Sequence, residues 1–388
     1  MIVTDTVIIG AGFAGLSTAY HLAKKGLRDI VVVEHEKKLG GHASGRNAGM
    51  IRQAIADPVL GKLACQGRRL LNQCEKKGWR GTKLVPNGSL LLAKNKEIGE
   101  LKKTAAVLKN EGLSCRWFSR KEAVSFVPLL DGGEFKKALF CDSDAMVDID
   151  SLIRGFYQAI KRQRALVLLG HTLKSVEKKG NRFLVKAGDK RFIARRVVNA
   201  AGAWAGAVAR EAKAAPIPLK ATRRHLLLAK PFRPFNASWP FVWDLSHNFY
   251  FRPQGKSLLL SACDEGEIKN VQRAVRKEMI DPKIKWVLQK KLDSFSNKFG
   301  DISIQSVKSG LRTMAPDGRF VIGEDPWLKG FFWVAGLGGH GVTASFSVGD
   351  LASDLILGKK PDKYLVNALS PARFSKQSSS RRRGSKGV

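Results

Sequence analysis

The chain has 388 residues, 44% of them hydrophobic, enough for a large core divided between two domains. Lys and Arg number 68 against 33 Asp and Glu, a net charge of +35 with no zinc-finger spacing, aromatic RNA-binding signature or single basic helix behind it. No apolar stretch approaches the ~20 residues of a bilayer span, residues 1–5 lack a basic secretory region, and the five cysteines form no CxxC pair. These features favour a reducing compartment without structural metal, and the cytoplasm is the expected location. The charge reads first as a general solubility bias, then as peripheral contact with an anionic membrane surface on its cytoplasmic face; nucleic acid is the remote reading.

In chain order, an apolar strand over 6–9 runs into Gly10-Ala11-Gly12-Phe13-Ala14-Gly15, a helix follows to residue 26, and a second strand over 30–34 ends at Glu34. Gly10 permits the sharp turn, Gly12 lets backbone approach a pyrophosphate, and Gly15 lets the helix sit close on the strand. The helix N-terminus offers N–H groups to phosphate, and Glu34 stands where a carboxylate meets a ribose hydroxyl. This is a dinucleotide-binding unit, for FAD or NAD. A loop of small residues over 35–49 follows, containing His35, Gly41, His42, Ala43, Arg46, Asn47, Ala48 and Gly49. Helical spacing over 57–77 stops at Gly78, a strand occupies 89–93, and an amphipathic helix occupies 96–110. Ser119 and Glu122 have the spacing of a capping box, opening a short helix that stops near Pro128.

A strand is expected over 138–141, a helix over 150–164, and short strands over 166–169, 174–177, 183–187 and 191–193. Another strand over 195–200 leads into Ala200-Ala201-Gly202-Ala203-Trp204. Residues 223–262 are strand-rich and punctuated by Pro231, Pro234, Pro240 and Pro253, and 267–298 is mostly helical. Strands over 310–323 and 331–335 and a helix over 340–357 complete the order, and a basic tail over 378–388 is expected to be disordered.

Five of these segments, in this order, resemble the flavoprotein family of D-amino-acid oxidases and dehydrogenases, glycine oxidase and sarcosine oxidase. They are the Gly10–Gly15 turn with Glu34; Gly40-Gly41 through Gly49; Val197 through Trp204; Gly310-Leu311-Arg312-Thr313-Met314-Ala315-Pro316-Asp317-Gly318; and Phe332 through Thr343. The resemblance implies an α/β fold, a Rossmann-like FAD-binding domain over 1–85, 146–220 and 306–365, with a mixed antiparallel-sheet α+β substrate domain over 86–145 and 221–305. A basic tail over 366–388 follows. It implies non-covalent FAD, held by the first three segments and by Gly338, Gly339, His340, Gly341, Val342 and Thr343, with a helix from about His340 aiming its positive end at the flavin.

The family reaction is removal of a hydride from the amine-bearing carbon to flavin N5, followed by imine hydrolysis, with oxygen or a quinone as acceptor. An arginine suits the substrate carboxylate because its planar fork grips both oxygens. Arg312 stands where related dehydrogenases carry such an arginine, Arg52 resembles the carboxylate arginine of sarcosine oxidases, and Arg223 or Arg224 resembles the paired arginines of D-arginine dehydrogenases. If more than one faces the flavin, a substrate with a second carboxylate becomes attractive. Tyr250 matches a tyrosine that caps the carboxylate, and His340 is a candidate for orienting substrate.

The departures are specific. Gly310 stands where sarcosine oxidases carry the flavin-linking cysteine, Thr343 where they carry a lysine, and Met50 and Ile55 replace a histidine and a tyrosine of the D-arginine branch. The alternative chemistry is oxidation of a 2-hydroxy acid or glycerol-3-phosphate-like alcohol with His340 as base. A flavin-fold nucleic-acid binder is the remote alternative.

Overall fold

The computed structural model describes residues 1–375 except 77, 78, 80, 81, 231–234, 277–279 and 301. The expected stop at Gly78, the prolines Pro231 and Pro234 and the tail over 378–388 lie outside them.

The strand Ile2–Ile9 is the centre of an eight-stranded sheet. It pairs in parallel with Ile30–Val33 on one side and Lys190–Asn199 on the other, and Leu166–Leu168 extends the sheet in parallel beyond Ile30–Val33. Parallel strands covered on both faces carry apolar side chains in succession, which is why Ile30–Val33 is four buried aliphatic residues with no alternation. Val7, Ile9, Val31 and Val33 face one core; Ile8 and Val32 face another, beneath the helices Phe13–Lys24 and Ser345–Ile356. Those helices approach very closely: a Cβ on Gly349 would lie 2.5 Å from the Ser17 carbonyl oxygen.

Two expected strands, over 191–193 and 195–200, are one strand, Lys190–Asn199. The Arg195-Arg196 pair looks like an interruption, but the parallel register with Ile2–Ile9 runs straight through Arg196, whose guanidinium meets Asp5 at 2.6 Å. The first half of this strand pairs with the hairpin Leu173–Lys179 and Arg182–Ala187, the second half with Phe331–Ala335.

A nine-stranded sheet is built on Lys220–Ala229, which pairs along its length with Ile304–Met314 and at its end with Ser257–Ser261. Phe249–Gln254, Phe241–Asp244, Ser89–Ala93, Lys137–Cys141 and Arg116–Ser119 continue it. Helix Ile284–Phe295 covers its far face with Leu288, Leu292 and Phe295. The single strand expected over 310–323 is therefore two, in different sheets: Ile304–Met314 here and Val321–Glu324 beside Phe331–Ala335. Pro316 and Gly318 separate them by a turn, with Gly318 at φ 73° and its N–H on the Ala315 carbonyl. Residues 306–314, grouped above with the nucleotide-binding half, thus hydrogen-bond within the other sheet.

A third sheet, unforeseen in the sequence, joins Met50–Ile51, Ala145–Val147 and Leu84–Val85. The capping box at Ser119 and Glu122 is present. The helix expected from His340 begins at Ser345, because Gly338, Gly339 and Gly341 make the intervening turn a costly place for helix, and a further helix, Lys363–Leu369, follows it. No helix among the described residues is long and apolar enough to cross a membrane.

Candidate active site

A cavity of about 640 Å³ runs from the carboxyl ends of Ile2–Ile9, Ile30–Val33 and Lys190–Asn199 to the face of the nine-stranded sheet. At the first end Gly10 turns the chain at φ 108°, and a Cβ there would lie 2.5 Å from the Ala200 carbonyl oxygen. Gly15 is a packing glycine outside the cavity wall, since its Cβ would meet Gly10 O at 1.9 Å. Glu34 accepts the Ala11 N–H at 2.7 Å and the Glu36 N–H at 2.9 Å. Burial opposes its ionisation, but bonds from His35 and these two N–H groups outweigh it and hold the carboxyl below its ordinary range. A charged acceptor is thereby fixed at the strand end.

His35 and His42 lie parallel with ring centroids 5.6 Å apart, both against Trp204, and Glu36 Oε1 meets their Nε2 atoms at 3.0 and 2.8 Å. Aromatic and imidazole faces at this end suit a flat base. His42 Nε2 is engaged by Glu36. Ser44, a residue the sequence reading passed over, accepts the Phe13 N–H at 2.9 Å and would touch a Cβ on Gly12 at 2.9 Å. His171, Thr172, Lys174, Glu211 and Gln272 also line the cavity unforeseen. The position of 171–174 just past a parallel strand was the available signal.

The loop over 40–49 crosses to the other sheet. Arg46 donates from Nε to Gly41 O at 3.1 Å and from Nη1 to Ser309 O at 3.2 Å, tying the loop to Ile304–Met314. A Cβ on Gly310 would lie 3.0 Å from Arg46 O, so this glycine seats the backbone of the loop. Asn47 Oδ1 accepts the Gly49 N–H at 2.7 Å, and Arg252 Nε holds Ala48 O at 2.6 Å. Ala43, Asn47 and Ala48 line the cavity, while Gly49 lies behind it against Val147 O.

At the second end, Arg312 and Arg224 share one face of paired strands, because Thr222 stands opposite Arg312 and Arg224 opposite Gly310. Arg312 lies flat against Gly339, whose Cβ would be 3.1 Å from its Cζ. Gly338 takes φ 51° and donates to Thr313 O at 3.0 Å. Arg224, and not Arg223, lines the large cavity, with Tyr250 and Leu226 beside it. Tyr250 is buried against Phe241 and Trp243, and burial raises its phenol above the ordinary range despite Arg312 and Arg224 nearby.

Three expected residues are placed differently. Thr343 is outside the cavity wall; it accepts the Arg52 N–H at 2.8 Å and donates to Met50 O at 3.1 Å, anchoring the glycine turn to a short strand. Arg52 stands behind the wall with its guanidinium 4.2 Å over the Trp243 ring, and burial lowers it to about 10. His340 also falls outside the wall, in the turn before the helix; burial, then Arg52 and Arg312, push its imidazole down to about 3. It is neutral at physiological pH.

The cavity fits an extended dinucleotide, because glycines clear both the turn at Gly10 and the plane at Gly338 and Gly339, and Glu34 closes one end. This is the class of flavin-type dinucleotide oxidoreductases. The chain belongs to the DAO family of FAD-dependent oxidoreductases, whose family model matches residues 5–355. Its cofactor is FAD. Sarcosine dehydrogenase of Homo sapiens is 25% identical over 373 residues, covering 92% of this chain and 40% of that protein. The chain spans under half the length of the first curated relatives it matches. Glycine oxidase from Geobacillus kaustophilus has the same fold at TM-score 0.81 and 21% identity, covering 95% of this chain and 98% of that one. L-proline dehydrogenase from P. horikoshii does so at TM-score 0.85 and 22% identity, covering 97% and 99%.

Proposed function

We propose that this oxidoreductase oxidises an amino acid, a D-amino acid, glycine-like or N-methyl amino acid, at the carbon bearing the amine. The observation that carries the reading is Arg312, laid on Gly339 at the cavity's second end with Arg224 and Tyr250 beside it. A planar fork facing the cavity is built to fix a carboxylate. Sarcosine dehydrogenase and glycine oxidase, two proteins this chain is similar to, act by their names on such compounds.

FAD, when bound, would supply the two-electron acceptor; Glu34 would hold its adenosine ribose and the glycines of 336–341 would leave room for its ring. The protein does the rest. Arg312 fixes the substrate carboxylate and thereby the height of the reacting carbon over the cavity floor. The cations Arg312 and Arg52 favour the neutral over the protonated substrate amine, and the neutral amine has the lone pair that the departing hydride requires. Tyr250 and Leu226 keep that end dry.

His340 supports the amine over the alcohol reading. An imidazole pushed down to about 3 is a weak base for removing a hydroxyl proton, whereas an amine brings its own electron pair. The deciding experiment is anaerobic flavin bleaching by D- and L-amino acids, N-methyl amino acids and 2-hydroxy acids. The expected result is bleaching by an amino acid with release of ammonia or alkylamine. Bleaching by hydroxy acids alone overturns the reading.

A further inference from the structure

The second end of the cavity holds more positive charge than one amino acid can use. Arg224 and Arg312 line it, and Arg52 stands just behind. Among the cavity-lining residues the carboxylates are Glu34, at the first end, and Glu211, at the end of the helix Ala205–Glu211. The carboxylate that reaches the arginines is Glu265, which comes from outside the wall: its Oε1 is 2.6 Å from Arg224 Nη2 and 4.0 Å from Arg312 Nη1. The Arg224 side chain is 7% exposed and Glu265 is 54% exposed. Arg224 Nε and Nη1 are buried and have no hydrogen-bond partner.

The carboxylate of an amino acid bound with its amine neutral matches Arg312 alone. Arg224 keeps the half-exposed Glu265 as its ion-pair partner, and two of its buried donors are unsatisfied. Buried cations without partners are costly, and a ligand that supplies the missing anion recovers that cost. A cationic side chain would meet no carboxylate on the wall here.

We infer that this site takes a substrate carrying two carboxylates, one on Arg312 beside the reacting carbon and a distal one on Arg224, and that Glu265 sets this specificity by holding Arg224 until the distal carboxylate replaces it. This rests on the amine-oxidising reading and names its substrate class. Glu265 is suited to yield because it lies at the surface, where a released carboxylate is hydrated at once. Arg224 is suited to receive because strand pairing fixes its backbone opposite Gly310 and its side chain lines the cavity. Glu265 is thus a positioning residue, acting on substrate through Arg224.

The test uses the FAD-loaded full chain and two unreactive acids of equal length, glutarate and pentanoate, titrated at constant ionic strength. Binding is read from perturbation of the flavin absorption bands and from tryptophan fluorescence. Glutarate should bind about tenfold or more tighter than pentanoate, the increment of a charge-assisted pair. Arg224→Met should abolish the difference, and Glu265→Gln, at an exposed position with little bearing on folding, should widen it severalfold by removing the internal competitor. Equal affinities for the two acids in both the parent protein and Glu265→Gln overturn the inference. If glutarate binds as expected but no amino acid bleaches the flavin, the two-carboxylate subsite stands and the amine-oxidising reading falls.

Discussion

Arg312 is held by what it lacks room to avoid: Gly339 lets the guanidinium lie flat, and the strand opposite fixes its backbone. Arg312→Met should therefore raise KM for the amino-acid substrate by about 10- to 100-fold, the loss of a bidentate charged pair, with a smaller effect on flavin content. Steady-state kinetics beside the flavin-to-protein absorbance ratio checks it. Gly10→Ala acts at the other end. It forces a side chain into φ 108° with its Cβ 2.5 Å from Ala200 O, at a cost of about 1–3 kcal/mol, and the purified protein should emerge largely without flavin. Carboxylate affinity should show no inflection near pH 6.5, because burial, with Arg52 and Arg312 nearby, keeps His340 neutral there; a binding titration between about pH 5.5 and 8 checks it. At this scale the sequence was most legible where the constraint is local. Gly10, Gly12 and Glu34 announce themselves by spacing, whereas Ser44, Thr343 and Glu265 acquire their partners from segments 31, 291 and 41 residues away.

Elements were legible where hydrophobic period and local capping agree, as at Ser119 and Glu122 or in the apolar run Ile30–Val33. They were misread where tertiary pairing overrides local composition. Arg196 stays in a strand because Ile2–Ile9 pairs with it in register, and the glycines that keep 338–341 non-helical leave room for Arg312 and Met314 beneath them. The junction between the first and last long helices shows what such pairing contributes. His21 Nδ1 lies 3.2 Å from Asp350, and Lys25 Nζ lies 2.8 Å from both Asp350 and Asp354. Burial holds His21 below its usual value, while His21 and Lys25 hold Asp350 well below the carboxylate range despite its partial burial. Both groups bind protons more weakly folded than unfolded. Stability is therefore full above about pH 6.5, falls as the unfolded histidine protonates, and falls again below about pH 4. Asp350→Asn should cost about 1 kcal/mol or less at pH 7 and flatten the second limb. Urea unfolding at several pH values reads this directly.

The whole molecule carries its charge as a global property. With 33 acidic residues for 68 basic ones, complete pairing of every carboxylate would still leave the net +35 unmatched. The acids are already engaged at many points, as in Arg196 with Asp5, Arg319 with Asp57 and Arg373 with Asp317. Added salt therefore does two opposed things: it weakens these pairs, and it screens the excess cations from one another. Surface pairs contribute ~0–1 kcal/mol each and are short-ranged, whereas the repulsion sums over every unmatched cation within a screening length of about 10 Å at 0.1 M. Repulsion wins this comparison. Raising NaCl from about 20 to about 300 mM should raise Tm by several degrees, with KCl giving the same result, since screening depends on ionic strength and not on which ion supplies it. A Tm that stays flat or falls would mean that local pairing, and not self-repulsion, governs the stability of this fold.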